Sequence, residues 1–268
     1  NEKVEMLLSS DTPSAISKST GLGIIEFSGA FNRLKPDLVM VMADRFEVIS
    51  AAISAAYQNI PLAHIQGGEV SGNIDEKVRH AITKLADYHF PATEKARKKI
   101  INMGSSPDSV FLTGCPAIDL AKEVIEDPAL NFDVYEKYGG VGSAPDLSGR
   151  FIVVMQHPVT NEYSDATNQA VETLEAVAGS DCSVLWFWPN ADAGSDETSM
   201  LFKKLVPVQR VMTVAMMTTM KQQMMLIQMT MMNLFVQMMI YQDLLPLFIS
   251  KKLITIVYLS LNLSERIK

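Results

Sequence analysis

The hydrophobic period changes inside one stretch, residues 61–89, and an α/β layout is the arrangement that accommodates the change. Pro61 to Ile65 is a short apolar run of the kind that forms a buried strand. Gln66-Gly67-Gly68 interrupts it, because paired glycines permit backbone angles that other residues avoid. Ile74, Val78, Ala81, Ile82, Leu85 and Ala86 then recur at helical spacing and predict one apolar helix face. Asp75 and Glu76 fall in the first turn, where the helix dipole favours anions, and Asn73 is the expected N-cap. Asp75 with Arg79, and Glu76 with His80, are i,i+4 pairs expected on the non-core faces. A polar, ionisable lip where a strand hands over to a helix is where open α/β sheets bind ligands; an ordinary solvated helix face is the alternative.

The rest of the chain repeats the alternation. Gly21 to Leu34 reads as a helix, and Leu38 to Ala43 as a parallel strand buried on both faces, ending in Asp44-Arg45. Phe46 to Tyr57 is helical in pattern, and Tyr88 to Ala92 and Val110 to Thr113 are short strands. Thr93 is placed to cap a helix over 94–103, and another helix is expected from about Ile118 to Ile125. Glycines and prolines over 127–149 mark a linker. Phe151 to Met155, ending in Gln156-His157-Pro158, restarts the pattern, followed by a helix over 165–178 and a strand from Cys182 to Trp188. Two such runs imply an α/β protein of two Rossmann-like, doubly wound domains. Residues 1–127 form the first, 128–149 the crossing, and 150–200 the start of an incomplete second. No glycine signature of a dinucleotide fold or a P-loop is present in the sequence.

Composition narrows the function. A net charge of −7 gives no general basic footprint for nucleic acid. Cys115 and Cys182 lie far apart, with neither metal spacing nor a disulfide framework, which fits a reducing cytoplasm. The start has no signal-peptide pattern and no initiator Met, as expected of a piece cut from a longer protein. A break falls near residue 200: residues 1–200 carry 15 Lys+Arg and 28 Asp+Glu, but 201–268 carry 8 and 2. Eleven of the 17 methionines lie between Met212 and Met239, and no glycine follows Gly194. A tail so short of turn chemistry is expected to come from a shifted reading frame, with a Met-rich interaction helix as the alternative. It is expected to form loose helices or no order rather than to complete a sheet. Gln222 to Gln242 is uncharged and long enough to span a bilayer, but its five Gln and one Asn make insertion expensive, so no membrane role is expected.

Polar residues gather at the carboxyl ends of the expected strands: Asp44-Arg45, His64 to Glu69, His157, and Asn190 with Asp192. Each has a structural alternative. Asp44 could cap a helix, His64 could be a satisfied core histidine, His157 could end a strand, and Asn190 and Asp192 could form a turn. Their repetition at one edge argues for a site. The strings Asp44-Arg-Phe-Glu, His64-Ile-Gln-Gly-Gly-Glu-Val-Ser-Gly with Ile74-Asp-Glu and Arg79-His-Ala-Ile-Thr-Lys-Leu-Ala, Gln156-His-Pro-Val-Thr and Pro189-Asn-Ala-Asp-Ala-Gly-Ser together resemble the hydrolysing UDP-N-acetylglucosamine 2-epimerase family, in its sialic-acid branch. The likeness runs over about residues 4–198.

The resemblance implies a glycosyltransferase-B-like fold with the nucleotide sugar between two domains. It implies release of N-acetylmannosamine and UDP by anti elimination to a glycal and hydration, with no cofactor and no metal. Such chemistry needs a positioned base for a weakly acidic C2 proton, groups that meet the charge on the departing phosphate, and a proton for the opposite face. By resemblance Asp44, Asp75, Glu69 and His157 are the candidate catalytic residues. Arg45, His64, Gln66, Arg79, Asn190 and Asp192 are the candidate substrate contacts. The partner implied is a UDP-sugar, in a cytoplasmic homo-oligomer, with no nucleic acid and no membrane. Three departures stand out: Ala43 replaces the family's usual Gly, Gln66 replaces its usual Glu, and the family's opening strand and UDP-holding C-terminal stretch have no counterpart. An amide cannot serve as a carboxylate base, so Gln66 leaves open the same reaction on a UDP-2,4-diacetamido sugar, or a non-catalytic nucleotide-sugar-binding fragment. The chain as written is expected to have little or no epimerase activity.

Overall fold

The computed structural model describes residues 4–8, 12–72, 74–127, 132, 133, 136, 146–157, 159–187, 211–214 and 254–256. The chain divides into two compact units. One comprises Asn1–Leu8, Ile16–Pro128 and Met225–Ser260; the other comprises Ser9–Ala15, Ala129–Met224 and Leu261–Lys268.

The first unit is built on a parallel sheet of four strands: β1 (Leu38–Met42), β2 (Leu62–Ile65), β3 (Tyr88–Phe90) and β7 (Ile254–Ile256), in the order β3-β2-β1-β7. Helices α1 (Pro13–Leu34), α2 (Phe46–Tyr57), α3 (Ile74–Leu85), α4 (Glu94–Asn102) and α5 (Pro116–Glu126) accompany it. As the continuous apolar runs require, all four residues of β2 and the first four of β1 are buried. Val39 and Val41 pack with Phe27, Phe31, Val48, Ala51, Ala55 and Ile82 in one core cluster. Helices α1 and α2 are tied by buried hydroxyls, with Ser50 Oγ donating to Thr20 O at 2.9 Å and Ser54 Oγ to Ile24 O at 3.0 Å. The second unit carries β4 (Phe151–Met155), α6 (Ala166–Ala178), β5 (Ser183–Phe187) and β6 (Val211–Val214), with the parallel order β4-β5-β6. Trp186, Val184, Val154 and Leu174 form its core cluster.

Four expectations change. Helix α1 starts at Pro13, eight residues before Gly21, because Thr12 Oγ1 accepts the Ala15 N–H at 3.2 Å and Pro13 suits the first helical position. The strand expected over 110–113 makes a single bridge, Val110 to His89. Its backbone otherwise follows β3 through Phe111 N–H to His89 O and Thr113 N–H to Pro91 O. The third change concerns α3, whose buried residues are Arg79, Ile82 and Thr83, while Ile74 is 42% exposed. Arg79, placed by periodicity on a non-core face, is therefore an inward residue, and its long-range ion pair supplies the reason. The fourth is the tail. Among the described residues, the two segments beyond residue 200 are strands, β6 beside β5 and β7 beside β1. Both are rich in β-branched residues, and an open parallel edge supplies the pairing that local turn chemistry does not. Asn73 lies outside the described residues.

Candidate functional site

The carboxyl ends of β1 and β2 bring the first unit's polar residues together. The chain leaves β1 through Ala43, at φ 65°, and leaves β2 through Gln66, at φ 61°. Both residues occupy the left-handed region that glycine tolerates and L-side chains resist. Asp44 follows directly. It does not cap α2: the N-cap position is Arg45, with no side-chain cap hydrogen bond. The Asp44 carboxylate instead takes an ion pair and hydrogen bond from the guanidinium of Arg79, with both side chains largely buried. The same guanidinium donates to Glu69 O at 2.9 Å and to Ser71 Oγ at 3.4 Å. Arg79 thus joins the end of β1 to the loop that follows β2.

That loop is fitted closely. Gly67 has no Cβ because one would lie 2.8 Å from Thr83 Oγ1 and 2.9 Å from His64 Nδ1. Gly68, at φ 80°, would put a Cβ 2.6 Å from Ala96 O of α4. Glu76 Oε2 accepts the N–H groups of Ser71, at 3.1 Å, and Gly72, at 2.7 Å, and these bonds hold its carboxyl below the ordinary range. Lys99 stands 3.8 Å from the same carboxylate and His80 3.4 Å, as the i,i+4 spacing anticipated. Desolvation lowers His80, with Lys99 the next cause.

His64 is fully buried, and both ring nitrogens are engaged within the unit. Nε2 lies 2.8 Å from Ala43 O and Nδ1 3.1 Å from Thr83 Oγ1. This is the geometry of a satisfied core histidine. Burial drives its pKa down to about 4. A carbonyl can only accept, so Nε2 carries the proton and Nδ1 of the neutral ring accepts from Thr83. Gln66 is half-buried and donates through Nε2 to Cys115 Sγ at 3.3 Å. Arg45 lies over the Phe46 ring at 5.7 Å and pairs at 3.3 Å with Glu47, a carboxylate only 1% exposed.

The structure therefore gathers Asp44, Arg79 and the Glu69 carbonyl, with Arg45 and Gln66 on the same two loops and Asp75 in the first turn of α3. His157 is exposed just beyond β4 in the second unit, and Asn190 and Asp192 fall outside the described residues. Thr83, Glu76 and Cys115 contact these candidate side chains or their loop; sequence reasoning placed Glu76 in the polar lip but named none of the three as a candidate site residue. Thr83 stands four residues after Arg79 on the same helix stripe, so the inward turn of Arg79 would have exposed it. Among the described residues no helix is long and apolar enough to cross a membrane, and no group of three His, Cys, Asp or Glu is placed to hold a metal.

A family model described as UDP-N-acetylglucosamine 2-epimerase matches residues 2–236. The chain is 34% identical over 181 residues to the UDP-N,N'-diacetylbacillosamine 2-epimerase (hydrolyzing) of Legionella pneumophila, a match covering 68% of this chain and 46% of that protein. It is 33% identical over 196 residues to the polysialic acid biosynthesis protein P7 of Escherichia coli, covering 72% and 48%. Its fold matches the crystal structure of UDP-GlcNAc 2-epimerase from Neisseria meningitidis bound to UDP-GlcNAc, with a TM-score of 0.59 at 18% identity, over 77% of this chain and 56% of that one. The Methanocaldococcus jannaschii UDP-GlcNAc 2-epimerase in complex with UDP-GlcNAc and UDP gives a TM-score of 0.59 at 19% identity, over 74% and 55%. The chain spans about half the length of the curated relatives it matches.

Proposed function

Because the chain belongs to the UDP-N-acetylglucosamine 2-epimerase family, we propose that it carries the catalytic half-site for hydrolysing epimerisation of a UDP-2-acetamido sugar, with UDP-N-acetylglucosamine as the leading substrate. The observation that carries the reading is the Asp44–Arg79 pair at the carboxyl edge of a parallel sheet, tied to the Glu69 loop. A base takes the C2 proton while the C1–O bond to UDP breaks, leaving a glycal. Water then adds its hydroxyl at C1 and a proton reaches C2 from the opposite face. The products are N-acetylmannosamine and UDP, and no electrons are exchanged with a cofactor.

Asp44, Asp75 and Glu69 are the acid–base candidates, and Arg79 orients Asp44. Arg45 offers a cation beside the loop for the departing diphosphate. His157, Asn190 and Asp192 enter this assignment through the resemblance alone. Both cysteines are free, and the reaction is assigned to a reducing cytoplasm. The test is UDP release, with detection of N-acetylmannosamine, by a version completed to the length of the relatives. Asp44→Asn is expected to lower turnover at least ~10²-fold. Turnover near the parent's would remove Asp44 from the chemistry.

Gln66 favours a second reading, the same chemistry on a UDP-2,4-diacetamido sugar. Its amide stands where the resembled family places a carboxylate, and the Legionella relative is named for such a sugar. The two substrates are to be compared side by side in the parent and in Gln66→Glu. A faster Gln66→Glu enzyme on UDP-N-acetylglucosamine supports the leading substrate. A loss there, with good parental turnover of the diacetamido sugar, establishes the second.

A further inference from the structure

We infer that His64 is a positioning residue which holds both members of the Asp44–Arg79 pair in register from below, through Ala43 on one side and Thr83 on the other; its effect on turnover rests on the epimerase reading above. The geometry is specific. Nε2 fixes Ala43 O, and therefore the peptide plane that leads into Asp44, at a residue whose φ of 65° opposes its own side chain. Nδ1 faces Thr83 Oγ1 at 3.1 Å and takes its single hydroxyl proton in competition with Arg79 O, and Thr83 stands one turn after Arg79 on α3. The imidazole therefore reaches the backbone that leads into the anion and, through Thr83, the helix that carries the cation. It is 0% exposed, so it touches neither solvent nor a ligand in this arrangement.

Two further features fit this role and no solvent-facing one. Gly67 is bare where a Cβ would wedge between His64 and Thr83. His64 also sits in register between Val41 of β1 and His89 of β3, so the sheet sets its origin while its tip crosses to the end of β1. Glu69 O and Ser71 Oγ already anchor the guanidinium, whereas the direction of the Asp44 carboxylate depends on the backbone that carries it. With the backbone before Asp44 and helix α3 both tied to one rigid ring, the Asp44 carboxyl keeps one direction, and small misplacements of a reacting group cost large factors in rate.

The experiment uses His64→Leu and His64→Gln, the latter because its amide N–H can still reach Ala43 O. In the chain as it stands, NMR of the Arg79 guanidinium reads the pair without any turnover. The parent and His64→Gln are expected to show slowed guanidinium rotation, and His64→Leu faster rotation, since Glu69 O and Ser71 Oγ still hold the other side of the group. In the version completed to the length of its relatives, His64→Leu is expected to lower kcat roughly 10- to 100-fold at unchanged KM, with His64→Gln recovering most of it. Arg79 rotation as slow in a folded His64→Leu protein as in the parent overturns the proposal. So does an active parent whose kcat His64→Leu leaves alone. If His64→Leu does not fold, Thr83→Val, which keeps the volume and removes the hydroxyl, carries the NMR test, and unchanged Arg79 signals in it also overturn the proposal. A parent without turnover but with a His64-dependent Arg79 clamp refutes the functional reading and leaves the positioning role standing.

Discussion

Replacing Ala43 by glycine should make the first unit more stable, although it deletes a methyl group. Ala43 sits at φ 65°, where an L-residue bears about 1–2 kcal/mol of steric cost. Glycine removes that cost but gives the unfolded chain more freedom, which takes back about 0.5–1 kcal/mol. The difference is a gain of about 0.75 kcal/mol at mid-range, with bounds of about 0 and 1.5, or roughly 1.5–3 °C in melting temperature for a unit of this size. The chain contains its own control. Both tryptophans, Trp186 and Trp188, belong to the second unit, so their fluorescence follows that unit, while far-UV circular dichroism also follows the helices of the first. Urea titration of Ala43→Gly should move the dichroism transition upward and leave the tryptophan transition in place. Ala51→Gly, in the fully buried middle of α2, should move the dichroism transition downward by about 1 kcal/mol or more. An Ala43→Gly protein no more stable than its parent would show that the left-handed backbone is not strained here, and would weaken the account of why His64 grips that carbonyl.

Gly68→Ala should destabilise by about 1–3 kcal/mol, because a Cβ meets the Ala96 carbonyl at 2.6 Å and φ is 80°; urea titration followed by circular dichroism checks it, and a neutral result would mean that α4 yields. Stability should also fall as pH drops from about 6.5 to about 4. Burial lowers His64 and His89 to about 4, so across that window the unfolded chain binds protons that the native chain refuses. Each such histidine removes about 1.4 kcal/mol per pH unit, and the loss levels off once the native rings protonate. Denaturation midpoints at pH 7, 6, 5 and 4.5 measure the slope, and a flat profile would mean the two rings are not held neutral.

The pattern that carried most information was apolar period. It located β1 and β2 closely, because these strands are buried or half-buried along their whole length and their neighbours do not alter which residues face inward; it also located α2 and β4, although Tyr57 and three of the five β4 residues are exposed. The Thr93 cap was equally readable, since capping is local, and its side chain accepts the Ala96 N–H at 3.2 Å. What local pattern could not supply was anything decided across the fold. Arg79 looks like a surface residue until Asp44, 35 positions earlier, arrives beside it. His64 looks like a ligand residue until Ala43 O and Thr83 take both nitrogens. The 110–113 run has strand composition, but it follows β3 through too few bonds to extend the sheet. The tail strands fail in the opposite direction, since poor local signals are overruled by the edges they meet. That the polar residues ending β1 and β2 are neighbours is legible in the sequence, because strand ends in a parallel sheet share one rim whatever the details of packing.

The pairing of β1 with β7 has a consequence in time. Leu38 waits for Ile254, and more than two hundred residues separate them. At a synthesis rate of about 5–20 residues per second, the β1 edge stands open on the ribosome for roughly 10–40 s after it emerges. Meanwhile β2 and β3 can join its other side, so the nascent sheet is already ordered and offers a ready template to any passing strand. Closure across so long a separation makes the last strand a slow and late arrival. The vulnerable species of this protein is therefore its own unfinished chain, and conditions that slow translation lengthen its exposure without changing the final fold at all.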